Sequence, residues 1–81
     1  MRDEILKYPR IRNLRIDNNL TQERIAAILN VKQNTYSQYE IGDLNYPIEA
    51  LVTLSQFYHT SVDYLLGLTD EKKPYPRVKK K

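Results

Sequence analysis

Between Thr21 and Gly42 the chain carries two short segments of helical periodicity with a single turning point between them. Thr21 suits an N-cap, because its hydroxyl can accept from an unpaired amide of the first turn. Ile25, Ala26, Ile28 and Leu29 then recur at the spacing of one helix face. Asn30 follows the last apolar residue. Asn tolerates a left-handed backbone better than most residues, so it can end a helix and redirect the chain. Val31 re-enters the core. A second helix from about Gln33 to Ile41 turns Tyr36 and Tyr39 inward and leaves Gln33, Asn34, Ser37 and Gln38 outward. Gly42 is the stop. Two helices this short, joined this tightly, must cross steeply, and Ala26 is small enough to let them approach.

The rest of the chain supplies a frame for this unit. Residues 1–8 form a polar lead-in. Pro9 fits a first helical position, where its missing amide costs nothing, and a helix to about Asn18 has Ile11 and Leu14 on its inner face. Leu20 closes the core after the turn at Asn18 and Asn19. Pro47 opens another helix to about Tyr58, with Ile48, Leu51, Leu54, Ser55 and Tyr58 expected inward. Ser61 caps a last short helix with Val62, Leu65 and Leu66 inward and Gly67 as its stop. No stretch alternates like a strand for more than a few residues. The expectation is an all-α, compact five-helix bundle over residues 9–69, followed by a flexible tail over 70–81. The tail has two prolines, many like charges and little to bury, so it is expected to be disordered when free.

At 81 residues the chain makes one domain with a modest core. It has no Cys, which excludes disulfides, thiolate metal sites and a cysteine nucleophile. No apolar run approaches the roughly 18–20 residues needed to span a bilayer. The start of the chain is too polar for a signal peptide. A soluble, cytoplasmic protein is expected, without cofactor or metal. Paired His, a Gly-rich phosphate loop and any plausible triad are also missing, so an enzyme is not expected.

The modest net charge of +3 hides a segregation. Residues 1–32 carry seven cations against four acids. Residues 33–70 carry five acids and no Lys or Arg. Residues 71–81 carry six cations against one acid. Such a distribution can give one face a positive field for phosphates, although mixed surface charge plus a basic tail would read the same way.

The two-helix unit at 21–41 resembles the helix-turn-helix of the phage-repressor/Cro-like (XRE) family of DNA-binding regulators. The segment 60–69, Thr-Ser-Val-Asp-Tyr-Leu-Leu-Gly-Leu-Thr, looks like the close of many short members. Together they extend the resemblance over about residues 10–69. Asn30 stands where the family usually has Gly, and Tyr36 where it has Ile or Val. The resemblance implies a lambda-repressor-like fold and sequence-specific binding of a double-stranded DNA operator. It implies a transcriptional regulator, most simply a repressor, that acts as a homodimer. The second helix would enter the major groove, which is wide enough for one helix.

The resemblance also assigns roles to residues. Gln33, Asn34 and Gln38 match the base-reading positions, with Lys32 and Thr35 beside them. Gln and Asn amides pair bidentately with adenine, and no Arg is present to favour guanine, which leans the reading towards A·T pairs. Gln22 and Thr21 would meet a phosphate at a helix start, where free amides and partial positive charge favour anions. Arg10 and Arg12 would add cations. In the family, Arg or Lys after the recognition helix often clamps phosphates. Here that stretch is Ile41, Gly42, Asp43 and Leu44, so the missing charge must come from elsewhere, the basic tail included. Arg15 would pair with Glu40, offsetting a carboxylate near a helix C-terminus and setting the angle of the recognition helix, with Ala26 and Asn30 shaping the crossing. Tyr46, Tyr64 and Tyr75 are expected to be exposed, and Tyr64, Phe57 and Leu68 are candidates for a dimer contact, with core packing the alternative for Phe57 and Leu68. A contrasting reading is a protein-interaction module of antitoxin type, whose acidic 33–70 segment would face a basic partner protein.

Overall fold

The computed structural model describes residues 7–76. Residues 1–6 of the expected lead-in and the last cations at 77–81 lie outside the described residues. Within them the chain forms five helices and no strand: α1 Pro9–Asp17, α2 Gln22–Leu29, α3 Gln33–Ile41, α4 Ile48–Tyr58 and α5 Val62–Leu65. Helix α3 packs on α2 and α1, α4 on α2 and α5, and α5 returns to α1. One apolar cluster holds them together: Ile11, Leu14, Ile25, Ala26, Tyr36, Tyr39, Leu54 and Leu65 are all buried.

Local chemistry explains most of the boundaries. Thr21 Oγ1 accepts from the Arg24 amide at 3.0 Å, and Ser61 Oγ accepts from the Tyr64 amide at 3.0 Å. Each hydroxyl satisfies a first-turn donor that the helix itself cannot. Asn30 stands at φ +60° and ψ +43°. With that reversal the Val31 amide reaches back to the Ala26 carbonyl at 2.9 Å, which closes the end of α2 and lets α3 set off across it. Gly42 ends α3 at φ +91°. Two further turns use left-handed residues that are not glycine, Asn19 and His59, both at φ +59°. His59 ends α4, so that the Thr60 amide donates to the Ser55 carbonyl at 2.9 Å.

Three packing expectations are corrected. Ile48 is 78% exposed, not inward. With Leu54 as the centre of the buried face, six residues at 3.6 per turn place Ile48 about 120° away around the helix. Ala50 takes the inner position instead and is buried. Tyr46 is half-buried: its ring lies 5.2 Å from that of Tyr39 and 6.5 Å from that of Tyr8, centroid to centroid. Tyr64 is also half-buried, beneath the Arg10 guanidinium, which stands 4.2 Å from the ring centroid. Tyr75 is exposed as expected. Residues 70–76 form no helix or strand, yet they are tied to the bundle by contacts described below.

Candidate nucleic-acid interface

The outer edge of α3 begins at Lys32, which caps the helix with extended backbone and no side-chain hydrogen bond. Lys32, Gln33 and Asn34 are exposed. Thr35, Ser37 and Gln38 are half-buried. The opposite edge is anchored by Tyr36, with no exposed surface, and by Tyr39. One helix therefore divides into a phenolic face that holds it to the bundle and an amide edge that is exposed at Gln33 and Asn34 and half-buried at Gln38.

What holds that helix at its angle is centred on Glu40, whose side chain is 2% exposed. Arg15 Nε donates to Glu40 Oε2 at 2.7 Å and Arg15 Nη2 to Oε1 at 3.2 Å. The Tyr36 hydroxyl donates to Oε2 at 2.6 Å, and Gln22 Nε2 donates to Oε1 at 3.0 Å. Arg15 Nη1 also donates to the Leu20 carbonyl at 2.9 Å. One carboxylate thus links α1, the turn into α2, the first residue of α2 and the end of α3. Burial alone would discourage the charge. The hydrogen bonds from Arg15, Tyr36 and Gln22 outweigh it and hold the carboxyl below its ordinary range. The same bond to Glu40 raises the Arg15 guanidinium further, against the opposing effect of burial. Burial pushes the Tyr36 hydroxyl well above the ordinary phenol range.

The remaining expected site residues fall into two groups. Thr21 and Arg12 are exposed, as a phosphate contact requires. Arg10 is half-buried, and its guanidinium donates to the Tyr64 and Thr69 carbonyls and to Asp70. Gln22 is half-buried and its amide already serves Glu40. The Gln22 contact was missed because the sequence offers only the Arg15–Glu40 charge pairing as a cue. The Arg10 contacts were missed because two of the three acceptors are backbone carbonyls, which leave no trace in residue type. Among the described residues no group of three or more His, Cys, Asp or Glu is placed to hold a metal ion, and no helix is long and apolar enough to cross a membrane.

Comparison with known proteins meets this geometry. A family model described as helix-turn-helix matches residues 11–65. The chain is 40% identical over 72 residues to an uncharacterised HTH-type transcriptional regulator, YobD of Bacillus subtilis, an alignment covering 89% of this chain and 62% of that protein. It is 35% identical over 58 residues to RstR, a transcriptional repressor of cryptic phage CTXphi in Vibrio cholerae, covering 72% of this chain and 52% of RstR. A transcriptional regulator from Listeria innocua has a similar solved structure, with a TM-score of 0.73 and 30% identity, covering 82% of this chain and 63% of that one. The chain thus spans between about half and two thirds of the length of these proteins.

Proposed function

The chain belongs to the phage-repressor/Cro-like helix-turn-helix family of transcriptional regulators, and from that membership we propose that it binds double-stranded DNA sequence-specifically and represses transcription in the cytoplasm. Helix α3 enters the major groove. Gln33, Asn34 and Gln38 address base edges, with Lys32 and Thr35 at their flank. Thr21, the backbone N–H of Gln22 at the start of α2, and Arg12 address phosphates. The observation that carries the reading is the division of α3 into a buried phenolic face and an exposed amide edge, braced from behind by Glu40. The repressor named among the relatives supports the sign of regulation.

One such module offers few base contacts, so two copies related by a two-fold axis bind together. Their α3 helices stand about 34–36 Å apart and read half-sites one helical turn apart. Band shifts on the DNA upstream of the coding region, with competitor duplex, test the reading. Replacing Gln33, Asn34 and Gln38 by alanine abolishes the preference for that DNA over competitor, at about 1–3 kcal/mol per bidentate pair, and leaves weak low-salt binding in place. A preference that survives the triple replacement overturns the assignment.

A further inference from the structure

Arg10 joins the first helix to the far end of the described chain. Its Nη1 donates to the Thr69 carbonyl at 2.7 Å and to the Tyr64 carbonyl at 3.2 Å, and its Nη2 donates to Asp70 Oδ1 at 3.1 Å. The guanidinium also lies over the Tyr64 ring. This clasp stands where the chain leaves α5. A few residues later the Tyr75 hydroxyl donates to Asp63 Oδ2 at 2.6 Å. Residues 70–76, which composition marks as a loose tail, are therefore fastened at both ends. Pro74 and Pro76 stiffen the second fastening by fixing their own φ.

Between the two fastenings, Lys72 borders a groove of about 260 Å³ together with Leu14, Asn18, Leu20, Phe57 and Tyr58. Leu20 directly precedes Thr21, the cap of α2. The strap thus brings Lys72 to a groove walled by the C-terminal parts of α1 and α4 and by Leu20, two residues before α2. Cations are unevenly placed along this chain. Residues 33–70 have none. Among the described residues, Arg10 and Arg15 are consumed by internal partners and Lys7 donates to Asn45 at 3.1 Å. Arg12, Arg24, Lys32, Lys72 and Lys73 are left exposed.

We propose that Lys72 binds a DNA phosphate beside the start of α2, and that Arg10 and Tyr75 are positioning residues that hold it there. The inference rests on the DNA-binding reading above and deepens it. The strap replaces the cations missing after α3 with one supplied from the other end of the chain. A lysine held by its backbone loses less freedom on binding than one on a loose tail. The two cases differ in a measurable way, because a loose tail attracts phosphates wherever its ends are, whereas a strap depends on its fastenings.

The test uses the full chain and a mixed-sequence duplex, with affinity read by fluorescence anisotropy across a sodium chloride series. Lys72→Ala reduces the steepness of log K against log salt by about 0.9, the loss of one phosphate contact. Lys73→Ala reduces it by less than half as much. Tyr75→Phe and Arg10→Gln each lower affinity in the wild-type chain, and neither adds a loss in the Lys72→Ala chain. Arg10→Gln risks the fold and is checked by its circular dichroism melt; Tyr75→Phe, on an exposed ring, keeps the proposal testable if it fails. Equal effects of Lys72→Ala and Lys73→Ala, with Tyr75→Phe silent, mean a loose tail and overturn the proposal. An unchanged salt slope for Lys72→Ala overturns it too, and leaves the DNA-binding reading intact if the α3 triple variant still loses its preference. Failure of the wild-type chain to bind any duplex ends both.

Discussion

At the scale of single residues, Glu40 carries the greatest consequence. A carboxylate with almost no exposed surface is tolerable only while its partners are in place. Glu40→Ala strands Arg15 and the Tyr36 hydroxyl and is expected to cost about 3–5 kcal/mol, the range for breaking a buried pair from one side; urea unfolding measures it. The pH dependence follows from the direction of the shift. The folded carboxyl titrates below its unfolded value, so its stabilisation is complete above the ordinary carboxylate range and is lost as pH falls through the lowered folded value. Urea midpoints that stay flat from neutral pH down through that range would contradict the network. Two neighbouring hydroxyls behave oppositely. Those of Tyr46 and Tyr58 are buried with no partner among the described residues, and burial pushes the Tyr58 phenol up to about 12. Removing an unpaired buried hydroxyl relieves a desolvation cost. Tyr46→Phe and Tyr58→Phe are expected to leave thermal stability unchanged or raised, whereas Tyr36→Phe lowers it.

At the scale of elements, the turn between α2 and α3 decides where the amide edge points. Its geometry depends on one left-handed residue, Asn30. Asn30→Ala keeps the Cβ that crowds the following carbonyl at this φ and loses the short polar side chain whose local hydrogen bonding lets Asn tolerate it, so it is expected to cost a fraction of the about 1–2 kcal/mol left-handed penalty. Asn30→Gly accepts the same φ without that clash and is expected to be close to neutral. Chemical denaturation of the pair separates backbone conformation from side-chain contacts. The helices themselves are short, eight or nine residues in α2 and α3. Helices of this length are marginal alone in water, so the faces they bury against one another, not their intrinsic propensity, keep them folded.

At the scale of the molecule, the charges are arranged so that the acidic middle of the chain lies between basic ends. The contacts of Arg10 bring the close of that acidic middle, at Thr69 and Asp70, against the first helix. That leaves a conspicuous apolar side chain, Ile48, with no role in the core. Ile48→Ser is expected to change folding stability by no more than about 0.5 kcal/mol, as for other surface substitutions. A larger loss in a thermal melt at low protein concentration would mean that Ile48 packs within its own chain after all. A loss seen only at high concentration would place it in the contact between copies.

The amino-acid sequence by itself determined the five helices, their caps at Thr21 and Ser61, the left-handed stop at Asn30, the pairing of Arg15 with Glu40 and the family. These are local or strongly typed features: a hydroxyl before a helix, a period of 3.6, a cation and an acid of matching sign. Only the tertiary structure decided the rest. Whether Ile48 or Ala50 faces inward depends on the rotation of α4 against its neighbours, a choice that several inner faces of the same apolar helix would satisfy. Gln22 joined the Glu40 network, and Arg10 was drawn to two carbonyls more than fifty residues away. A backbone carbonyl has no identity in the sequence, so a bond to one can be seen only once the chain has brought its ends together.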